Sequence, residues 1–292
     1  MNDTDLLAAA FEQHRAHLRG VAYRLLGSMS DADDAVQDAW LRLTSTDTSE
    51  VENLGGWLTT VVARVALTML RSRRRRAEDP VDAAWPVPAE TAVPEDEAVL
   101  ADSVGLALIV VLDTLTPAER LVFVLHDLFA MPFTEVAAVL GRSPEATRQL
   151  ASRARRRVRG APSPDRAADL ARQREVATAF LAASRGGDLS ALLALLDADV
   201  SLTADEFAAP AGKPERLRGA QAVSRGALAA STRAGYSQLA LVDGDVGIVF
   251  APAGRLRVVL TMTVSDQRTI TAIDVIADPA RLGRLRLAVL PE

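Results

Sequence analysis

The sequence predicts a multi-domain chain: two all-α modules, the second with a helix-turn-helix, followed by an α+β domain. Three observations carry this expectation. Apolar residues recur at helical spacing through most of the first 160 residues. Residues 77–98, AEDPVDAAWPVPAETAVPEDEA, hold four prolines and many acids, and read as a linker between two helical stretches. Beyond residue 200 the pattern turns to short alternating stretches, SQLALV, VGIVFA, RLRVVLTMTV and TITAIDVIA. The DGD between the first two of these is a hairpin signal.

Taken in order, Leu6, Leu7, Phe11, Leu18, Val21, Ala22 and Leu25 lie on one helical face. In GSMSDADDAVQDAWLRL, Ser30 or Asp31 suits an N-cap, and acids fill the first turn, where the helix dipole favours them. Residues 44–56 have loop chemistry, and 56–76 read as one amphipathic helix ending in five arginines. Residues 99–159 are helical again, broken at LTPAER and GRSPE, and GAPSPD at 160–165 marks a second joint. Helices over about 166–186, 188–197 and 218–232 then accompany the strands, the first strand being VSLTA. The expected divisions are 1–76, a linker at 77–98, 99–160, and 166–292.

Composition narrows the function. The absence of cysteine excludes disulfides, thiolate metal sites and a cysteine nucleophile. The N-terminus lacks the basic start and apolar core of a signal peptide, and runs such as GLALIVVL are too short to span a bilayer, so a cytoplasmic protein without membrane partners is expected. No metal cluster or cofactor motif is visible. The net charge is −5, yet arginines gather at 71–76 and 153–159, and a local basic field can bind a polyanion despite an acidic total. With 32 Arg and one Lys, arginine count alone is a weak signal.

Placement carries more. LTPAERLVFVLHDLFAMPFTEVAAVLGRSPEATRQLASRARRRV (115–158) gives a helix at 117–128, a short helix at 133–140, a turn at Gly141 and a helix from Pro144. Ser143 is a natural N-cap and Pro144 suits the first helical position. Ala146, Leu150, Ala154 and Val158 fall four apart and are expected to be buried. Ser143, Glu145, Thr147, Arg148, Gln149, Ser152, Arg153 and Arg156 are the expected DNA-contacting group, being types that reach base edges and phosphates. Along this helix, Glu145 to Arg153 are expected to face bases and Arg155 to Arg159 mostly to hold phosphates. In DADDAVQDAWLRL (31–43), Asp34, Gln37, Asp38 and Leu41 share a face beside Trp40, which suits docking on a basic partner. In GWLTTVVARVALTMLRSRRRR (56–76), Trp57, Thr60, Arg64, Thr68, Arg71, Arg73 and Arg74 combine an aromatic, hydroxyls and cations, a set that can cradle an unstacked base and its backbone.

The order and spacing of these three segments resemble a bacterial RNA polymerase sigma factor of the extracytoplasmic-function group. The first is similar to the family's segment for docking on core polymerase, the second to its −10-reading and melting segment, and the third to its −35-reading domain. Thr68 stands where an Asp is common in that family. The tail resembles a SnoaL-like, NTF2-type cone, found in one subgroup, where it acts on the sigma core in cis. That subgroup's marks appear in altered form: WPVPAE with Trp85, the Asp205-to-Lys213 loop DEFAAPAGK, and DPARL with Asp278 and Pro279. The resemblance implies core polymerase and promoter DNA as partners and promoter-specific transcription initiation as the function.

The alternative is a DNA-binding regulator whose tail senses or transforms a small molecule. Some cone folds are enzymes, but His14, His17 and His126 all precede the tail, leaving Asp199, Asp205, Glu206 and Asp274 as acid/base candidates. A tail without catalysis, holding at most an apolar ligand, is therefore the expectation.

Overall fold

A computed structural model describes residues 3–47, 51–78, 106–160, 166–209 and 212–290. Trp85 and most of the linker lie outside them. The described residues pack as two units. One holds the residues up to 78 together with 112–156, and the other holds 106–111 together with 157–290.

The first unit begins with α1 (Asp3–Leu26), α2 (Met29–Ser45) and α3 (Leu54–Glu78), which pack on one another. Ser28, rather than Ser30 or Asp31, caps α2, its side chain accepting from the Asp31 backbone N–H. The helix starts two residues earlier than expected because Met29 is buried and belongs to the apolar face with Ala32, Ala35, Val36, Ala39 and Leu43. Leu18, Val21, Ala22 and Leu25 of α1 and Leu58, Val62 and Ala66 of α3 complete that core. Fully burying a leucine or valine contributes roughly 1.5–3 kcal/mol, so this face dominates the stability of the three helices.

The chain resumes with α4 (Leu106–Asp113), α5 (Pro117–Val122), α6 (Phe133–Leu140) and α7 (Pro144–Arg159). Thr116 and Glu119 form a capping box at α5: the Thr116 hydroxyl accepts from Glu119 N–H, and the Glu119 carboxylate accepts from Thr116 N–H. The expected helix over 117–128 is not α-helical throughout, because Phe123–Leu128 widen into a π-helical stretch closed by Phe129 N–H on the Val124 carbonyl. Gly141, at φ 65°, ends α6 in the left-handed conformation and sets the angle into α7.

Helices expected as two modules meet within this unit. α3 packs against α5 and α6, and α1 against the π-helical stretch. At their meeting point Arg120 is buried, its Nη1 donating to Asp113 at 3.0 Å and its Nε to the Arg24 carbonyl at 3.4 Å. Phe129 lies edge-on to His17 at 5.3 Å between centroids, and Arg24 stands over the same ring at 5.2 Å.

In the second unit α8 (Ala167–Gly186), α9 (Leu189–Leu195), α10 (Ala220–Ala229) and α11 (Ser231–Ala234) accompany a seven-stranded mixed sheet. Its strands are β1 (Leu196–Ala204), β2 (Glu215–Arg218), β3 (Ser237–Val242), β4 (Asp245–Phe250), β5 (Val258–Val264), β6 (Ile270–Ile276) and β7 (Leu287–Ala288), in the order β2-β1-β6-β5-β4-β3-β7. Only β1 and β6 run parallel among these pairs. The unit is therefore α+β, as expected, although the edge strands β2 and β7 and the short helix α12 (Pro279–Leu282) left no sign in the sequence pattern. The hairpin is where DGD places it: Val242 pairs with Asp245, and Asp243 and Gly244 take φ 52° and 97°. Phe180, Leu192, Val200, Val223, Ile248 and Ile273 form the core between helices and sheet. On α8, Gln173 accepts from Val246 N–H and donates to Asp245, which pins that helix to the start of β4.

Two outcomes test this packing. A Cβ at Gly247 on β4 would stand 2.8 Å from the Leu260 carbonyl and 2.7 Å from Val242 Cγ2, so Gly247→Ala should lower stability by about 1–3 kcal/mol in urea unfolding. Burial, with the nearby His14 and Arg24, pushes the His17 imidazole below its ordinary pKa. The unfolded chain then takes up that proton more readily than the folded one. Stability is full above the ordinary value of about 6.5 and declines as pH falls through the lower folded value. Urea midpoints measured from about pH 7.5 to about pH 5.5 should fall, and less steeply in His17→Gln.

Candidate nucleic-acid and partner interfaces

On α2, the 3.6-residue period separates the buried alanines from Asp34, Gln37, Asp38 and Leu41, all of them exposed. Leu41 is 56% exposed, an apolar residue left facing solvent among acids. Trp40 does not share that exposure. Its ring is half-buried, 5.1 Å from that of Phe11, and it anchors α2 on α1. Of the five residues expected on a docking surface, four are presented and one supports them.

On α3, Arg64, Thr68 and Arg71 are exposed at positions i, i+4 and i+7, and Trp57 and Thr60 are half-buried further back along the helix. Thr68 donates its hydroxyl to the Arg64 carbonyl, a local bond within the helix. Thr59 is buried and bonded to the Gly55 carbonyl, so it belongs to the core rather than to the polar face. Arg73 also departs from its expected place. It donates to the Leu26 carbonyl at the end of α1 and pairs with Asp31 of α2, because it stands three residues after buried Leu70 and shares its inward side. Arg74 is exposed. The five-arginine run thus splits: Arg73 ties the three helices together while Arg71 and Arg74 face out.

On α7, Ser143 caps the helix by accepting from Ala146 N–H at 3.2 Å. Glu145, Arg148, Gln149, Ser152, Arg153 and Arg156 are exposed, as is Ser143. Thr147 is the correction on this helix. It is fully buried, with its hydroxyl on the Ser143 carbonyl, so it cannot touch a duplex. The buried stripe is Thr147, Leu150, Ala151, Ala154 and Val158, with Ala146 at its border, since a 3.6 period needs alternating steps of three and four. Arg155 pairs with Asp127 of the π-helical stretch, which takes it out of the set expected to hold phosphates. The Glu145 carboxyl lies below the usual range through hydrogen bonds to its own backbone N–H and to Ser143, and so remains an acceptor beside Arg148.

In the tail, two of the expected regulatory segments meet. Asp205 accepts from Ala208 N–H with Oδ1 and from Ala277 and Asp278 N–H with Oδ2, each at 2.9–3.0 Å. Arg281 adds an ion pair to Asp205 and a hydrogen bond to Asp274. Asp278 in turn caps α12, accepting from Ala280 N–H, with Pro279 exposed at the first helical position. Lys213 is exposed, and Trp85 lies outside the described residues. Asp205 and Asp274 are thereby committed to holding the C-terminal segment, and Asp199 and Glu206 are exposed. Sequence reading missed these tail contacts and the Arg120 cluster, since both join residues far apart in the chain; a single arginine inside the apolar run AERLVFVL was the one local sign.

Among the described residues no helix is long and apolar enough to cross a membrane, and no group of three or more His, Cys, Asp or Glu could hold a metal ion.

Comparison with known proteins adds to this geometry. Residues 10–76 match Sigma-70 region 2 and residues 105–158 match Sigma-70 region 4. The chain is 42% identical over 251 residues to the ECF RNA polymerase sigma factor SigJ of Mycobacterium tuberculosis, covering 81% of this chain and 78% of that one. It is 37% identical over 205 residues to a probable ECF sigma factor, SigI, of the same species, covering 69% and 70%. The crystal structure of Mycobacterium tuberculosis SigJ aligns with a TM-score of 0.46 at 35% identity, covering 94% of this chain and 98% of that one.

The buried hydroxyl supplies a check. Thr147→Val keeps the shape but removes the bond to Ser143, and should cost about 1 kcal/mol in thermal unfolding while leaving base preference unchanged.

Proposed function

Because this chain belongs to the extracytoplasmic-function RNA polymerase sigma factors, which direct promoter-specific transcription initiation, we propose how its parts divide that task. Core polymerase docks on Asp34, Gln37, Asp38 and Leu41, with Trp40 holding α2 in position. Trp57, Thr60, Arg64, Thr68, Arg71 and Arg74 engage the −10 strand. Arg148, Gln149, Ser152 and Arg153 read the −35 duplex, and Arg156 holds its backbone. The factor works in the cytoplasm, where its polymerase and promoter are. The single observation behind this reading is that the matched regions 2 and 4 carry most of these side chains exposed, on three separate helix faces.

The two DNA elements are, by their names, about 25 base pairs apart, or roughly 85 Å at 3.4 Å per base pair. α1 and α5 nevertheless touch through Arg24 and Arg120. Engaging both elements therefore parts these helices, and the buried guanidinium is a contact that opening gives up.

The C-terminal domain acts on the sigma core in cis and is not an enzyme. Two hydrogen bonds support this. At the start of the region 4 match, Ala107 N–H donates to Gln238 of β3; at its end, Val289 N–H donates to the Val158 carbonyl in the last turn of α7. A strand of the tail and the residue just past its last strand thus bond to the two ends of the segment that carries the −35 reader. The commitment of Asp205 and Asp274 to backbone and Arg281 argues against a catalytic carboxylate pair. An apolar ligand of this domain would act as an effector on the same coupling.

Run-off transcription with core polymerase tests the coupling. Truncation after residue 165 should change promoter output several-fold relative to the full chain. Equal output from both forms would remove the regulatory role from the tail.

A further inference from the structure

We propose that Phe133 is a positioning residue for the −35 reader: its ring holds the Arg148 guanidinium in the orientation that reads a base, and so sets sequence preference without touching DNA. The inference rests on the reading of α7 as the −35 helix. Phe133 opens α6, the helix before the turn, and is half-buried. Its ring is fixed from one side by His126, stacked at 3.7 Å between centroids and 27° between planes. His126 is itself fixed, with Nδ1 2.9 Å from the Met131 carbonyl. The Arg148 guanidinium carbon lies 5.7 Å from the Phe133 centroid, within the range of a cation–π contact. A second restraint comes from along α7, where Glu145 Oε1 stands 3.6 Å from Arg148 Nη1. Arg148 nevertheless keeps 56% of its side chain exposed, so its donors remain free to meet a ligand.

The consequence follows from the chemistry of arginine. A bidentate contact to the O6 and N7 of guanine needs the planar fork in one orientation, and a free arginine loses rotamer freedom in adopting it. A ring beneath the guanidinium and a carboxylate beside it remove that freedom before DNA arrives, so more of the contact is expressed as discrimination. Phosphate contacts made by other arginines gain nothing from the ring. The signature of a positioning role is therefore a loss at one base pair and not a uniform loss of binding.

The test uses the full chain with core polymerase and a promoter series in which each base pair of the −35 element is varied singly. Arg148→Ala should flatten the preference at one base pair. Phe133→Leu should reduce discrimination at that same base pair by roughly two- to fivefold, Phe133→Tyr should restore it, and Phe133→Leu should add nothing in the Arg148→Ala background. Phe133→Met is the companion variant should leucine not fold, with thermal unfolding measured on each. If Phe133→Leu or Phe133→Met lowers output equally on every promoter, the ring is only packing and the proposal is overturned. If Arg148→Ala alters no base preference, the assignment of Arg148 as a reader fails and takes the proposal with it. If Arg148→Ala alters one and the Phe133 variants leave that base pair untouched, the positioning role alone is overturned.

Discussion

The guanidinium of Arg120 is the interaction on which the N-terminal unit depends. It is a fully buried cation with one ion pair, to half-exposed Asp113, and one long hydrogen bond, to the Arg24 carbonyl near the end of α1. Desolvation pulls its pKa below the usual arginine value, and Asp113 only partly offsets that. Such an arrangement adds little net stability, because removing a charge from water costs about as much as the pairing returns. What it does impose is geometry. The carbonyl and the carboxylate must converge on one side chain, and that fixes α5 against α1 and the turn after α4.

Around that point the unit is a set of helices whose inner faces are committed and whose outer faces are not. Alanines and valines on α2 and α3 permit close helix approach, and Arg73 closes the far end by reaching back to Leu26 and Asp31. The consequence is that acids on α2, Arg64, Thr68 and Arg71 on α3, and the mixed polar face of α7 are all left exposed. Function lives on the surfaces that folding does not use. The tail follows the same logic with a different emphasis. Asp205 and Asp274 are spent on fixing its own C-terminal segment, and Gln238 of β3 and Val289, just past β7, bond to backbone groups at the two ends of the region 4 match.

Secondary structure and interface were legible in different degrees. The capped helix after Gly141, the Asp243–Gly244 hairpin and the α2 face could be read directly, because each follows from local periodicity or turn chemistry. Thr147 and Trp40 could not. Both lie at the border of an amphipathic face, where a rotation of some 20–40° decides between solvent and core, and only the neighbouring helix determines it. The π-helical widening at Phe123–Leu128 likewise breaks the period on which the reading of 117–128 relied. The edge strands β2 and β7 are too short to show alternation.

By itself, then, the sequence determined the type of nearly every long element, three polar helix faces and the resemblance to sigma factors, since these are properties of neighbouring residues. Tertiary structure decided which arginines face outward and which are internal. Arg71, Arg148 and Arg156 are presented, whereas Arg73, Arg120 and Arg155 are engaged within the unit. In a chain with 32 arginines, composition cannot make that division. An arginine becomes structural only when a carbonyl or carboxylate from a distant segment is brought within reach of its head group, and that convergence exists only in the folded chain.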